Sequence, residues 1–110
     1  MKIKITQYGY KNDECADSLT EAGIGAWDNK LEPCVSCALT RSAQNLLDAS
    51  PASWLRIDFG NGRVTARRFD DRAPEDDPRV DIYAPGGFDK TQPDYAEVTL
   101  LKQWLPGDPL

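Results

Sequence analysis

Apolar residues alternate with polar ones at several places along the chain, and each such run predicts a half-buried strand. Residues 2–8 read Lys-Ile-Lys-Ile-Thr-Gln-Tyr, a period of two from the first residues. Residues 35–40 predict a second short strand, and Trp54-Leu55-Arg56-Ile57-Asp58-Phe59 a third. Gly60-Asn61-Gly62 follows, and alternation resumes over residues 63–69. An Asn-Gly pair between two alternating runs predicts a hairpin, because both turn positions tolerate φ > 0. Residues 79–83, Arg-Val-Asp-Ile-Tyr, predict a fifth strand ended by Pro85-Gly86-Gly87, and residues 98–104 predict the last.

Between these runs lie the breakers. Residues 9–34 are rich in Gly, Asp, Asn, Glu and Pro and predict a long loop, with a short helical turn at residues 18–21. Loops of this length in small domains are usually functional. Residues 42–47 predict a helical turn closed by Ser50-Pro51, and residues 93–97 predict another. Residues 70–78 predict an acidic loop with two prolines, and residues 106–110 a tail. Six short strands with short connections suit a closed barrel or a sandwich. A barrel has no free strand edges, which favours it in a chain of 110 residues. One domain is expected over residues 1–105.

Composition narrows the chemistry. The net charge is -5, and phosphate neutralisation needs clustered Lys and Arg, so a nucleic-acid partner is not expected. No apolar run is long enough to span a bilayer. The N-terminus carries no apolar signal core. The chain therefore reads as cytoplasmic as written, or as periplasmic or secreted if a leader has been removed. A monomer is expected. Histidine is absent, which removes His-dependent triads and His-ligated metal sites. Acid–base work falls to Asp, Glu, Tyr, Lys or Cys.

The three cysteines are Cys15, Cys34 and Cys37. Cys34-Val-Ser-Cys37 has the C-x-x-C spacing, but three thiols make an incomplete zinc set, and the motif runs on into a strand rather than opening a helix. The plainer reading is a small buried thiol, or a disulfide from Cys15 that pins a loop. No metal and no cofactor is expected.

The carboxylates are the remaining candidates. Asp70, Asp71, Glu75, Asp76, Asp77 and Asp81 crowd one stretch, opposed by Arg72 and Arg79. Glu75, Asp76 and Asp77 read as a solvated loop. Asp70 and Asp81 stand at junctions of predicted strands with that loop, where two strand ends can meet at one barrel mouth. Convergent carboxylates repel, which raises one pKa and keeps that acid protonated. A protonated carboxyl beside an ionised one is what glycosidic cleavage requires.

Several short motifs carry a resemblance. Thr6-Gln7-Tyr8, Cys37-Ala38-Leu39-Thr40, Trp54-Leu55-Arg56-Ile57, Asp81 within Arg79-Val80-Asp81-Ile82-Tyr83, and Val98-Thr99-Leu100-Leu101 resemble the three-aspartate domains of the double-psi β-barrel superfamily. That group includes membrane-bound lytic transglycosylase A and, more distantly, rare lipoprotein A and expansins. The resemblance implies an all-β fold, a six-stranded double-psi β-barrel with one or two short helical turns. It implies a carbohydrate-active protein, a peptidoglycan-cleaving lytic transglycosylase with Asp81 as general acid/base and Asp70 tuning it. Thr6, Tyr8, Trp27 and Asp71 would contact substrate, although a Trp such as Trp27 also suits a core. The partner is then a peptidoglycan-like polysaccharide. The alternative is a non-catalytic module on the same barrel, binding a glycan or a protein. Two departures stand out. Asp71-Arg72-Ala73-Pro74-Glu75 occupies the place of the family's glycines, and the position of its first aspartate falls at about Thr40.

Overall fold

Ile3 and Ile5 turn inward from the first strand, β1 (Lys2–Tyr8), while Lys2 and Lys4 face out, as the alternation predicts. The computed structural model describes residues 1–10 and 22–110. The remaining elements are β2 (Ser36–Leu39), α1 (Arg41–Leu47), β3 (Trp54–Gly60), β4 (Arg63–Arg72), β5 (Arg79–Tyr83) and β6 (Tyr95–Leu101). The helical turn expected at residues 18–21 and Cys15 lie outside the described residues. Among the described residues no helix is long and apolar enough to cross a membrane.

The six strands close into a barrel in the order β1-β5-β2-β4-β3-β6, with β6 returning to β1. Two pairings are parallel, β1 with β5 and β2 with β4, and the others are antiparallel. Exchanging β1, β2 and β3 for β4, β5 and β6 leaves this neighbour order unchanged. The two halves of the chain therefore interlock about a pseudo-two-fold axis that passes between β2 and β5. Closure leaves these six strands no free edge for another chain to extend.

The core fills the ring. Ile3, Ile5, Cys37, Leu39, Leu55, Ile57, Phe69, Val80, Ile82, Ala96 and Val98 form one buried cluster. Ala43 and Leu47 join it from α1, which plugs one end of the barrel. Thr40 starts that helix: its Oγ1 accepts from the Ala43 N–H at 3.3 Å and from the Arg79 N–H at 3.0 Å. Asp48 ends it in the left-handed region at φ 53°.

The hairpin between β3 and β4 forms at the expected residues, with Gly60, Asn61 and Gly62 all at positive φ. The pairing slips between Asp58 and Gly60, so Phe59 is an extra residue, and the Arg63 guanidinium lies over its ring at 4.9 Å. The other end of the barrel is strapped by Asp89, which takes Arg63 at 2.6 Å and whose N–H donates to Gln7 Oε1 at 2.7 Å. Hydrogen bonds from Thr91, with Arg63 beside them, hold the Asp89 carboxyl at about 2, below its ordinary 3.8.

Three expectations are corrected. Residues 70–72 are strand, not loop, because β4 continues in parallel register beside β2 as far as Leu39↔Arg72. Residues 95–97 are strand, not a helical turn, because Tyr95 and Glu97 face out while Ala96 and Val98 turn in beside β1 and β3. The last strand ends at Leu101 rather than residue 104. Gln103 takes a left-handed φ of 57° there, and Trp104 folds onto Trp54 with ring centres 5.1 Å apart. At the end of the tail, Arg56 Nε donates to the Leu110 carbonyl at 3.0 Å.

Thr40→Val should cost about 1–3 kcal/mol in urea unfolding, because two backbone N–H groups lose a shared acceptor beside the core. The folded pKa of Asp89 lies below its unfolded value. Its contribution is therefore complete above the ordinary 3.8 and lost as pH falls towards about 2. Asp89→Asn should flatten the acid limb of a stability–pH curve in that window and leave neutral-to-alkaline dependence unchanged.

Candidate functional site

The site is built by one irregularity. Along the parallel pairing of β2 and β4 the register runs Ser36↔Arg68, Cys37↔Phe69, then Ala38↔Asp71. Asp70 is thus the extra residue of a β-bulge. Strict alternation would send Asp71 to the same side as Phe69, into the apolar core. The bulge resets the phase, so Asp70 and Asp71 both escape the interior.

From Asp71 a row crosses four strands on the outer face. Asp71 on β4 sits opposite Ala38 on β2, Ala38 opposite Asp81 on β5, and Asp81 opposite Thr6 on β1. The row straddles the pseudo-two-fold, so Asp81 and Ala38 occupy equivalent positions, as do Thr6 and Asp71. The backbones of Asp71 and Asp81 are two strand spacings apart, about 10 Å. The methyl of Ala38 stands between them in the register, and the Tyr8 phenol crosses above it to reach Asp71.

Hydroxyls meet both acids. Thr6 Oγ1 donates to Asp81 Oδ1 at 3.0 Å, and Tyr8 Oη donates to Asp71 Oδ2 at 2.9 Å. Burial, and next the Asp71 charge, push the Tyr8 phenol far above its ordinary value, so it remains a donor. Tyr8 packs on Tyr83 with ring centres 5.6 Å apart, and both join Leu31, Ala38 and Ala73 in a small apolar cluster outside the barrel. This cluster walls the row, leaving Asp71 and Asp81 each 8% exposed.

Asp70 faces a different set of groups. Ser36 Oγ donates to it at 2.6 Å, and Arg68 Nε reaches both its oxygens, at 2.8 and 2.9 Å. That carboxylate raises the Arg68 guanidinium further above its ordinary value. The loop before β2 clamps the bulge from outside. Asn29 Nδ2 donates to the Asp70 carbonyl at 3.0 Å, and a Cβ on Gly25 would stand 2.3 Å from that same oxygen. Only glycine admits so close an approach.

Of the residues singled out in the sequence, Thr6, Tyr8, Asp71 and Asp81 come together, while Asp70 and Trp27 lie to one side. Trp27 is 40% exposed and meets Phe69 edge-on at 5.0 Å. It lines a hollow with Lys30, Glu32, Arg68 and Asp70. Arg72 donates to Gln44 Oε1 and lies over the Phe69 ring at 5.6 Å. Thr40 caps α1 at the barrel end, and Ala38 stands in the row. Cys37 is a free buried thiol whose pKa burial pushes up, and Cys34 is a free exposed one.

Sequence reading missed the roles of Ser36, Ala38, Arg68 and Tyr83. Two consecutive acids ending an alternating run were the available signal, since one of them must break phase or be buried. Compared with family models, curated proteins and solved structures, the chain matches none.

Tyr8→Phe should lower stability by about 1–3 kcal/mol, because the buried Asp71 carboxylate loses a donor. Urea unfolding of the variant against wild type measures this. Tyr83→Phe, with no hydrogen bond to Asp71, is the control and should change little.

Proposed function

We propose that the chain is a carbohydrate-active barrel of the double-psi kind, cleaving peptidoglycan-like glycan as a lytic transglycosylase does. The observation that carries the reading is the row Thr6–Asp81–Ala38–Asp71. The two parallel pairings and the interchangeable halves support the barrel type.

In this reading Asp81 gives its proton to the glycosidic oxygen as the C1–O bond breaks. The sugar's own 6-hydroxyl then attacks C1, and its proton passes to the Asp81 carboxylate. A 1,6-anhydro ring results, and Asp81 ends as it began. One carboxyl serves as acid and then as base. The second carboxylate need not sit at the roughly 5 Å that a covalent nucleophile would require. Asp71 takes the electrostatic role, favouring the positive charge that develops at C1. Thr6 orients Asp81, and Tyr8 orients Asp71. Asp70 holds Arg68 and the bulge, and so positions its neighbour. Trp27 offers an exposed ring for a sugar face beside Asp70.

A second reading has its own observation. Asp71 and Asp81 are 8% exposed each, behind Tyr8, Tyr83 and Leu31. That enclosure suits a non-catalytic module whose acids support the shape of a glycan- or protein-binding face.

Purified glycan strands with the chain should release 1,6-anhydro muropeptides, read by mass spectrometry. Asp81→Asn should lower that rate by about 10²–10⁴-fold with an unchanged circular dichroism spectrum, and Asp71→Asn should lower it less. Release that persists in Asp81→Asn refutes the assigned acid. Glycan binding without turnover, equal in wild type and Asp81→Asn, selects the second reading.

A further inference from the structure

The hollow beside Trp27 measures about 460 Å³, within the roughly 300–1,000 Å³ of small-ligand sites. A stiff hairpin forms one wall. Ile24 and Lys30 pair across it, and the Gly25 N–H donates to the Asn29 carbonyl at 2.7 Å. Asp28 turns its tip at a left-handed φ of 59°. Asn29 Oδ1 accepts from the Trp27 N–H at 3.2 Å, while Nδ2 holds the Asp70 carbonyl. The Trp27 indole, 40% exposed, is thus presented on fixed backbone. Covering it costs little ordering of the loop. Pro51 and Ala52 add apolar lining. The Ala52 N–H donates to the Phe69 carbonyl at 2.8 Å, which holds that residue at a left-handed φ of 68°.

The polar lining is balanced in charge. Asp70 fixes Arg68 through Nε, and Glu32 stands 3.6 Å from Nη2. Nη1 and Nη2 of Arg68 have no hydrogen bond among the described residues and are not closed off from solvent. They share the outer edge of the guanidinium, so one ligand can meet both. Exposed Lys30 is the second cation of the lining. Among the described lining residues, two cations thus stand against two carboxylates.

That balance selects the ligand. An anion would meet the Glu32 carboxylate, and a cation would meet Arg68 and Lys30, each with like-charge repulsion. A hydroxyl suits both signs, because it accepts from a guanidinium and donates to a carboxylate at once. Neighbouring hydroxyls of one sugar do this with no net charge, while its C–H face covers the indole, Pro51 and Ala52. We propose that the hollow is a sugar-binding subsite, taking an uncharged pyranose ring with Trp27 as its platform and Arg68 and Glu32 as its hydroxyl partners. The proposal rests on the carbohydrate reading for the class of ligand and does not require that the acid row cleave it.

The test titrates the full chain separately with neutral tri-N-acetylchitotriose, its cationic deacetylated trimer, anionic trigalacturonate and a proline-rich peptide. The NMR signal of the Trp27 indole Nε1–H follows binding. The neutral trimer should move that signal in one saturable event, and both charged trimers should bind roughly tenfold more weakly. Trp27→Ala should weaken the neutral trimer about tenfold or more. Glu32→Ala, which leaves Asp70 to hold Arg68, should weaken it about two- to tenfold. If Trp27→Ala does not fold, Glu32→Ala and the wild-type titration carry the same decision. No saturation by the neutral trimer, tighter binding of a charged trimer or of the peptide, or binding that both variants leave unchanged overturns the proposal. Muropeptide release with an unmoved Trp27 signal sinks the subsite alone, and a moved signal without release sinks the cleavage reading alone.

Discussion

The parallel pairing of β2 with β4, with one residue in excess on β4, is the constraint on which the rest depends. It joins residues 36–39 to residues 68–72 and so ties the two halves of the chain together. Without the excess residue, the phase set by Phe69 would carry Asp71 into the core. An unpaired carboxylate there would cost several kcal/mol, as much as a small domain can spare. With it, two consecutive acids leave the interior while Phe69 stays inside. The bulge is therefore both a packing device and the origin of the outer acid row.

Among the described residues, a neutral hydroxyl donates to each of the three acids outside. Ser36, Thr6 and Tyr8 each give a hydrogen to one of Asp70, Asp81 and Asp71. Asp70 also takes a full positive charge, from Arg68.

Much of the scaffold was legible along the chain. Ile3 and Ile5, Leu55 and Ile57, and Val80 and Ile82 alternate with polar neighbours, and each pair turns inward as its spacing requires. Gly60-Asn61-Gly62 marks its hairpin because its backbone needs positive φ at consecutive residues. The end of β4 was not legible. Asp70, Asp71 and Arg72 have poor strand propensity, and only the partner strand β2, some 30 residues earlier in the chain, makes them strand. Residues 95–97 went astray for the same reason: Tyr95 and Glu97 belong to a strand because β1 lies beside them.

What the sequence alone determined is local: which side chains share a face, where turns fall, and that any acid–base chemistry must do without histidine. These follow from the two-residue period of extended chain, from backbone sterics and from the absence of histidine. What only the tertiary structure decided is which acids meet. Neighbours in the row come from strands up to 75 positions apart, as Thr6 and Asp81 do. A single-residue slip of register chooses between Asp70 and Asp71, and no local preference encodes that slip, because it is settled by how β2 packs Cys37 and Ala38 against the closing barrel.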